Sequence, residues 1–243
     1  MKIVGLQKVS LLDYPGRIAA SVFLAGCNLN CGYCHNRWMI AADRPGGKAA
    51  PEVISMDDLL RWLGTRRRLL DGVCISGGEP TLSPGLSALL RGIKGLSLAV
   101  KLDTNGTLPE RLAGILGEGL VDMVALDVKA PLDGRYSEVA GKVVDVSAIR
   151  RTMQLLREWA ATDEDRCYEF RTTVGPQLSE TWLRDIAAEL RADEVWYLQA
   201  FRPAEGVDPA LTSGTWPDED ALLGWAGRLA ALAPGVRVRG LDA

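Results

Sequence analysis

Six short apolar runs recur along the chain, and most of them are continuous rather than alternating. They read IAASVFLAG, VCISGG, LAVKLDTNG, VDMVALDVKAP, YEFRTTVG and VWYLQAF. A continuous apolar run of this length, bounded by turn residues, indicates a strand that is buried on both faces, as in parallel sheets covered by helices. The pattern therefore predicts six buried strands.

Helical patterns with identifiable starts lie between these runs. Ser55 precedes MDDLLRWL, and Asp58 follows three residues later, which resembles a capping box. Pro109 lies in a predicted first helical turn before ERLAGIL, which Gly117 or Gly119 can end. Apolar positions at helical spacing mark two more helices, one with Ile149, Met153, Leu156 and Ala160, and one with Leu183, Ile186, Ala187 and Leu190 behind Ser179 as its cap.

Strands that alternate with helices predict a parallel sheet wound by right-handed crossovers. Eight such units close a full barrel in about 250 residues, whereas this chain offers six, with further residues at both ends. The expected fold is α/β, an open partial (β/α)6 TIM barrel in one domain of residues 1–243. Its core spans about 16–203, with an N-terminal extension at 1–15 and a C-terminal helix and strand at 204–243.

Polar or glycine-rich segments stand at the ends of four successive predicted strands. CNLNCGYC follows the first strand, GGEP ends the second, DTNG ends the third and DVK ends the fourth. The carboxyl ends of parallel strands lie at one edge of a sheet, where ligands bind in open α/β folds. The four segments are therefore expected to converge on one site.

Composition narrows the class of protein. The chain has 243 residues, of which 47% are hydrophobic and 24% charged, with a net charge of -3. It shows neither a signal-peptide pattern nor an apolar run near the roughly 18 residues of a membrane span, so we expect a cytoplasmic protein without a membrane partner. The only basic run, Arg66 to Arg68, predicts a solvated helix face, and no nucleic-acid partner is expected.

Three of the five cysteines lie within GCNLNCGYCHN, beside the only histidine. Cys27, Cys31 and Cys34 have the spacing Cx3Cx2C. Structural zinc takes four ligands, and 4Fe-4S clusters are normally held by four thiolates. Three thiolates would leave one metal position open for a substrate.

A closed zinc site is the alternative interpretation of these cysteines. His35 could be the fourth ligand, although its adjacency to Cys34 hinders both side chains from reaching one metal. Cys74 or Cys167 could instead complete an all-cysteine site, although a lone cysteine in an apolar strand is usually a small buried hydrophobe. The spacing favours the open cluster over closed zinc.

With Tyr33 before its last cysteine, Cx3Cx2C resembles the signature of the radical S-adenosylmethionine (radical SAM) enzymes. In that family the three cysteines hold a 4Fe-4S cluster, and its fourth iron binds the amino and carboxylate groups of SAM. The resemblance implies that Cys27, Cys31 and Cys34 are both cluster ligands and catalytic residues of an oxidoreductase. One electron would then split SAM into methionine and a 5′-deoxyadenosyl radical.

The resemblance is closest to the glycyl-radical-enzyme activating enzymes, and it runs from KVSLLDYPGRIAASVFLAGCNLNCGYCHN through FRP, which ends at Pro203. SLLDYPG looks most like the short activating proteins of anaerobic (class III) ribonucleotide reductases, with the pyruvate formate-lyase activating enzyme as a close relative. Cys74 and Cys167 are too few for a second, ferredoxin-like cluster. The implied partners are a glycyl radical enzyme, most closely that reductase, and a flavodoxin- or ferredoxin-type electron donor.

The resemblance also implies which residues bind SAM. Expected contacts are Tyr33, Cys34 and His35 along the adenine, Gly77, Gly78 and Glu79 at the methionine amino group, Asp103, Thr104, Asp127 and Lys129 at its carboxylate, Arg171 at the carboxylate or ribose, and Gln199 at the ribose. Gln199 stands near the place of a ribose-contacting histidine in the pyruvate formate-lyase relative. Alternatives remain for three of these sites: a simple turn at GGEP, an ordinary buried pair of Asp127 with Lys129, and a cross-strand ion pair for Arg171.

A monovalent cation is a further implied ligand. In the pyruvate formate-lyase relative, the matching segments bind such a cation beside the methionine carboxylate. The corresponding residues are Asp103, Thr104 and Asp127, with the carbonyl of Ala125 as a further donor. Carboxylates and backbone carbonyls are suitable ligands for a hard cation.

Other functions stay open at the level of sequence. The chain could activate another glycyl radical enzyme, of the pyruvate formate-lyase type. It could be a radical SAM enzyme that acts on a small molecule, such as a 7-carboxy-7-deazaguanine synthase. Outside catalysis, it could be a zinc or iron-sulfur binding module. An open barrel suits the activation of a glycyl radical enzyme, because a missing wall lets a partner's peptide reach the centre.

Overall fold

The computed structural model describes residues 1–42 and 53–241. Within these residues the strands are β1 (Ile3–Ser10), β2 (Ala19–Leu24), β3 (Gly72–Gly77), β4 (Ala99–Thr104), β5 (Met123–Asp127), β6 (Cys167–Val174), β7 (Trp196–Ala200) and β8 (Val236–Arg239). The helices are α1 (Arg37–Ala42), α2 (Met56–Arg66), α3 (Leu86–Lys94), α4 (Pro109–Gly117), α5 (Gly134–Ala140), α6 (Val146–Ala160), α7 (Glu180–Ala187), α8 (Pro209–Thr212) and α9 (Glu219–Leu229), and a 3-10 helix (Pro80–Leu82) follows β3.

The strands form one sheet in the order of the chain, from β1 to β8. Strand β1 is antiparallel to β2, and every later pair is parallel. In the described residues β8 does not pair with β1, so the sheet curves without closing. The predicted open α/β barrel is confirmed.

The six predicted strands correspond to β2 through β7. The N-terminal extension adds β1, which we did not predict as a strand. The C-terminal extension adds α8, α9 and β8, and β8 is a seventh parallel strand. Residues 242–243 of that extension lie outside the described part of the chain.

The local signals for helix ends are confirmed. The Ser55 side chain accepts a hydrogen bond from the Asp58 backbone N–H at the start of α2, 3.1 Å away. The Ser179 hydroxyl accepts from the backbone N–H of Trp182 in the same way. Pro109 begins α4, and Gly119 follows its end with φ +67°, a left-handed conformation that favours glycine.

The two faces of a strand differ in polarity, which the continuous apolar pattern did not predict. Val100 and Leu102 in β4 belong to the main core, whereas Lys101 and Asp103, which alternate with them, are buried charged residues. Glu169 in β6 is likewise buried beside the core residue Phe170. The inner face of β4 and β6 therefore carries buried charges, while the outer face packs against the helices.

No helix in the described ranges combines the length and the apolar character that a bilayer crossing needs.

Candidate active site

A cavity of about 220 Å³ lies at the carboxyl ends of β2 to β6. All four segments that follow the strands contribute to its wall, as the convergence of strand ends predicts. Eleven of the predicted site residues line it: Cys27, Cys31, Tyr33, Cys34, His35, Gly77, Gly78, Asp103, Thr104, Asp127 and Lys129.

Three predicted site residues do not line this cavity. Glu79 is fully buried behind the wall. Arg171 is ion-paired to Asp127 through Nε at 2.8 Å, which is the cross-strand pair that the register of β5 and β6 permits. Gln199 lies on β7 opposite Thr173 of β6, and Thr173 itself reaches the cavity.

Backbone contacts hold the cysteine loop in place. Gly26, with φ +91°, turns the chain out of β2. Further along, the Asn30 N–H donates to the Ala140 carbonyl at the end of α5, 2.9 Å away. The Asp208 N–H donates to the Gly32 carbonyl at 2.8 Å. The loop is therefore fixed by parts of the chain that lie more than a hundred residues away.

Burial changes the pKa of two of the cavity thiols. It raises the pKa of Cys27 to about 11 and also raises the pKa of Cys34. The Leu29 backbone N–H donates to Cys27 Sγ at 3.4 Å, which favours the thiolate and opposes this effect. Since metals bind the thiolate, loading of a metal centre at these cysteines would release protons.

The other candidate zinc ligands lie elsewhere. Cys74 is buried within β3, and Cys167 is exposed at the amino end of β6. The Nε2 atom of His35 is 2.5 Å from the Arg202 carbonyl oxygen. In the described residues, no group of three or more histidine, cysteine, aspartate or glutamate side chains is arranged to hold a single metal ion. A 4Fe-4S cluster does not need such convergence, because each thiolate binds a different iron.

The two glycines of GGEP pack against the backbone that leads to the cysteines. Gly77 has φ +117°, a left-handed conformation. The Gly78 N–H donates to the Leu24 carbonyl at 2.9 Å, and the Glu79 N–H donates to the Gly26 carbonyl at 2.8 Å. A Cβ on Gly78 would lie 1.9 Å from the Gly26 carbonyl oxygen. Only glycine fits at this contact.

Replacing Gly78 by alanine should separate the GGEP loop from the cysteine loop. We expect a loss of about 3 kcal/mol in the free energy of unfolding, since backbone must move to admit the methyl group, together with a lower iron content after reconstitution. Gly114→Ala is the matched control, because nothing lies within 4 Å of its added Cβ. Denaturant unfolding and iron analysis would measure both effects, and a wild-type result for Gly78→Ala would contradict the contact.

Glu79 links the GGEP and DTNG loops. Its Oε1 accepts hydrogen bonds from the Thr104 hydroxyl at 2.9 Å and from the backbone N–H and hydroxyl of Thr81. Its Oε2 accepts from the Asn105 N–H at 2.7 Å. Burial raises the pKa of Glu79 above its usual value, although these donors oppose part of the shift. The carboxylate thus fixes two walls of the cavity from behind.

Glu79→Gln should therefore destabilise the protein. One carboxylate oxygen becomes an amide N–H that faces donors, and leaving a buried group unsatisfied costs about 2 to 3 kcal/mol. Glu110→Gln, at an exposed carboxylate, should have little effect. Equal unfolding free energies for the two variants would show that the Glu79 bonds contribute nothing.

Sequence reasoning missed three residues that join these walls. The Asn105 side chain donates to Asn28 Oδ1 at 2.9 Å and, at 3.9 Å, to Cys27 Sγ. Asn28 in turn donates to the Thr107 hydroxyl at 2.7 Å. Asn105 lies inside DTNG, Thr107 follows it directly, and Asn28 lies inside the cysteine motif, so their positions in the motifs were the available signal.

Charged side chains form the floor beneath the cavity. Lys101 Nζ is 2.5 Å from Asp103 Oδ1, and Arg171 Nη1 is 3.2 Å from Asp103 Oδ2. Burial alone would raise the pKa of Asp103, but Arg171 and Lys101 lower it to about 2. Burial opposes the charge on Lys129, yet Tyr33 and Asp127 hold its pKa well above the usual value. Among these cations, Lys129 is the one that lines the cavity.

Comparison with known proteins agrees with this architecture. The model of the Radical SAM superfamily matches residues 21–190. In the solved structures, QueE from Escherichia coli aligns with a TM-score of 0.56 and 18% identity, covering 100% of this chain and 94% of that one. The fold and the family match together define a radical SAM enzyme.

Proteins with similar sequences show to which group of radical SAM enzymes the chain belongs. A protein of Methanocaldococcus jannaschii, named as a glycyl-radical enzyme activating enzyme, is 32% identical over 224 residues, which are 90% of this chain and 88% of the relative. The pyruvate formate-lyase-activating enzyme of Clostridium pasteurianum is 35% identical over 144 residues, 58% of each chain. The chain belongs to the glycyl-radical-enzyme activating enzymes of the radical SAM superfamily.

Proposed function

We propose that the chain cleaves SAM at a 4Fe-4S cluster held by Cys27, Cys31 and Cys34, and that it installs a radical on one glycine of a partner enzyme. Anaerobic ribonucleotide reductase is the proposed partner, and a flavodoxin- or ferredoxin-type protein the proposed electron donor. The observation that carries the proposal is that three thiols and the ammonium group of Lys129 line one cavity at the carboxyl edge of the sheet.

When bound, the cluster supplies the electron that breaks the sulfonium bond of SAM. The chain's residues have to bind and orient SAM and to exclude water. Lys129 offers a cation for the methionine carboxylate, and the Gly77–Gly78 backbone lets the amino group approach closely. Leu29, Ile40 and Pro80 give the cavity an apolar part that keeps water out.

The remaining predicted residues have supporting roles in this proposal. Tyr33, Cys34 and His35 lie along one side of the cavity, where the adenine would bind. Glu79 and Arg171 act from behind the wall, by fixing loops and carboxylates. Thr173 reaches the cavity beside Gln199, and it is the better placed of the two to contact the ribose. A monovalent cation is not part of the proposal.

The proposal can be tested with anaerobically reconstituted protein. With dithionite and SAM, we expect 5′-deoxyadenosine and methionine in equal amounts. With an anaerobic ribonucleotide reductase from the same genome, we expect a glycyl radical signal in electron paramagnetic resonance. That signal should be lost when the carboxyl-terminal glycine of the reductase is replaced by alanine.

The alternatives give different results in the same assay. A radical on a pyruvate formate-lyase but not on the reductase would change the proposed partner. Formation of 5′-deoxyadenosine that requires a small-molecule substrate would indicate an enzyme of the 7-carboxy-7-deazaguanine synthase kind. A colourless protein that binds zinc and leaves SAM intact would overturn the proposal.

A further inference from the structure

We propose that Lys101 and Arg171 are built-in cations that take the place of a monovalent metal ion beneath the SAM site. Together they would neutralise the carboxylates of Asp103 and Asp127 and so make SAM binding independent of potassium and sodium. The inference rests on the proposed function, because it assumes that SAM binds in the cavity above these residues.

The ion pairs beneath the cavity occupy the carboxylate oxygens that a metal would need. Lys101 and Arg171 each face one oxygen of Asp103, at 2.5 and 3.2 Å. Arg171 Nε is 2.8 Å from one oxygen of Asp127, and Lys129 Nζ is 3.5 Å from the other. Every carboxylate oxygen of the two aspartates therefore has a cationic nitrogen nearby, and the expected cation does not fit.

Lys101 is built into the barrel. Its side chain is 0% exposed, so its charge is far from water. Besides Asp103, its Nζ faces Glu169 at 3.9 Å and the Cys74 sulfur at 3.9 Å. A polar group buried this deeply needs acceptors around it, and these three groups supply them.

The net charge of the charged floor favours binding of an anion rather than of a metal ion. Arg239, on β8, is 3.2 Å from Glu169 and completes the charged floor. Within the described residues, the carboxylates that these ion pairs join are Asp103, Asp127 and Glu169, and the cations are Lys101, Lys129, Arg171 and Arg239. Three negative and four positive charges leave a net charge of +1. A net positive floor attracts the carboxylate of SAM and repels an alkali cation.

Binding of SAM to the reconstituted protein in different salts tests the inference. The dissociation constant would be measured by equilibrium dialysis in choline, sodium and potassium chloride at equal ionic strength. For the wild type we expect values within about twofold of one another, since ionic screening is held constant. This comparison needs no variant, so it stands even if a variant fails to fold.

Lys101→Met removes the built-in charge and retains much of the volume. In choline chloride it should weaken SAM binding about tenfold, because Asp103 Oδ1 loses its cationic partner and only the Arg171 pair at Oδ2 remains. Potassium or sodium should restore most of that loss, and sodium-23 line broadening should appear in the variant but not in the wild type. Lys94→Met is the matched control, since Lys94 pairs with Asp122 away from the cavity. It should bind SAM like the wild type in every salt.

The outcomes separate the inference from the proposed function. Wild-type SAM binding that requires potassium or sodium would overturn the built-in cation and leave the proposed function intact. The same holds if Lys101→Met folds but binds SAM like the wild type in choline chloride. Absence of SAM binding in every salt would overturn the proposed function and the inference with it.

Discussion

Cys31→Ala is expected to abolish cluster binding and SAM cleavage together. Cys31 is buried and lines the cavity, and with two thiolates left, one further iron of the cluster would lack a protein ligand. The fold should survive, because the loop is held through the backbone. The Cys31 carbonyl, for example, still accepts from the Cys34 N–H at 3.2 Å and from Arg37 at 3.3 Å.

Iron and sulfide content, visible absorbance and 5′-deoxyadenosine formation with dithionite would measure the effect. Cys167→Ala is the matched control, because Cys167 is exposed at the far end of the barrel. It should retain the iron content and activity of the wild type. If Cys31→Ala still cleaved SAM, or if Cys167→Ala lost its iron, the assignment of the cluster ligands would be wrong.

Local signals predicted most of the fold. Caps such as Ser55 and Ser179 depend on a side chain and a backbone N–H that lie three residues apart, so they can be read from sequence. The strands β2 to β7 were likewise marked by their apolar runs. Strands β1 and β8 were harder to recognise, since IVGLQKVS carries polar residues and VRVR alternates. Their places depend on pairing with neighbours far along the chain.

The cavity was predictable for the same reason as the sheet. Parallel strands bring their carboxyl ends to one edge, and each motif stood at such an end. The charged floor was not predictable in this way. Lys101 and Glu169 are single charged residues within apolar runs, and nothing local indicates that they face each other across the intervening strand β5. Only the register of strands β4 to β6 brings them into contact.

Glu79 illustrates a second limit of prediction from the sequence. Its place in GGEP suggested a contact with SAM, yet its carboxylate accepts hydrogen bonds from Thr81, Thr104 and Asn105. A motif identifies a segment that matters but not which of its atoms face the ligand. In this segment the backbone of Gly77 and Gly78 faces the cavity, and the side chain of Glu79 faces the neighbouring loop.

Lys129→Met is expected to weaken SAM binding more than any other single change that leaves the cluster in place. Of the cations in the charged floor, Lys129 is the one that lines the cavity, whereas Lys101 and Arg171 lie behind Asp103 and Asp127. A hydrogen bond to a charged group is worth about 1.5 to 3 kcal/mol, so the dissociation constant for SAM should rise about tenfold to a hundredfold.

The variant should fold and take up iron normally, because the local backbone contacts do not use the ammonium group. The Val128 N–H still donates to the Arg171 carbonyl at 2.8 Å, and the Thr172 hydroxyl to the Val128 carbonyl at 2.7 Å. Lys142→Met, at an exposed lysine, controls for loss of charge. Equilibrium dialysis of both variants with matched iron content measures the difference. Wild-type affinity in Lys129→Met would mean that the SAM carboxylate binds elsewhere, since no other cation of the floor faces the cavity in the described residues.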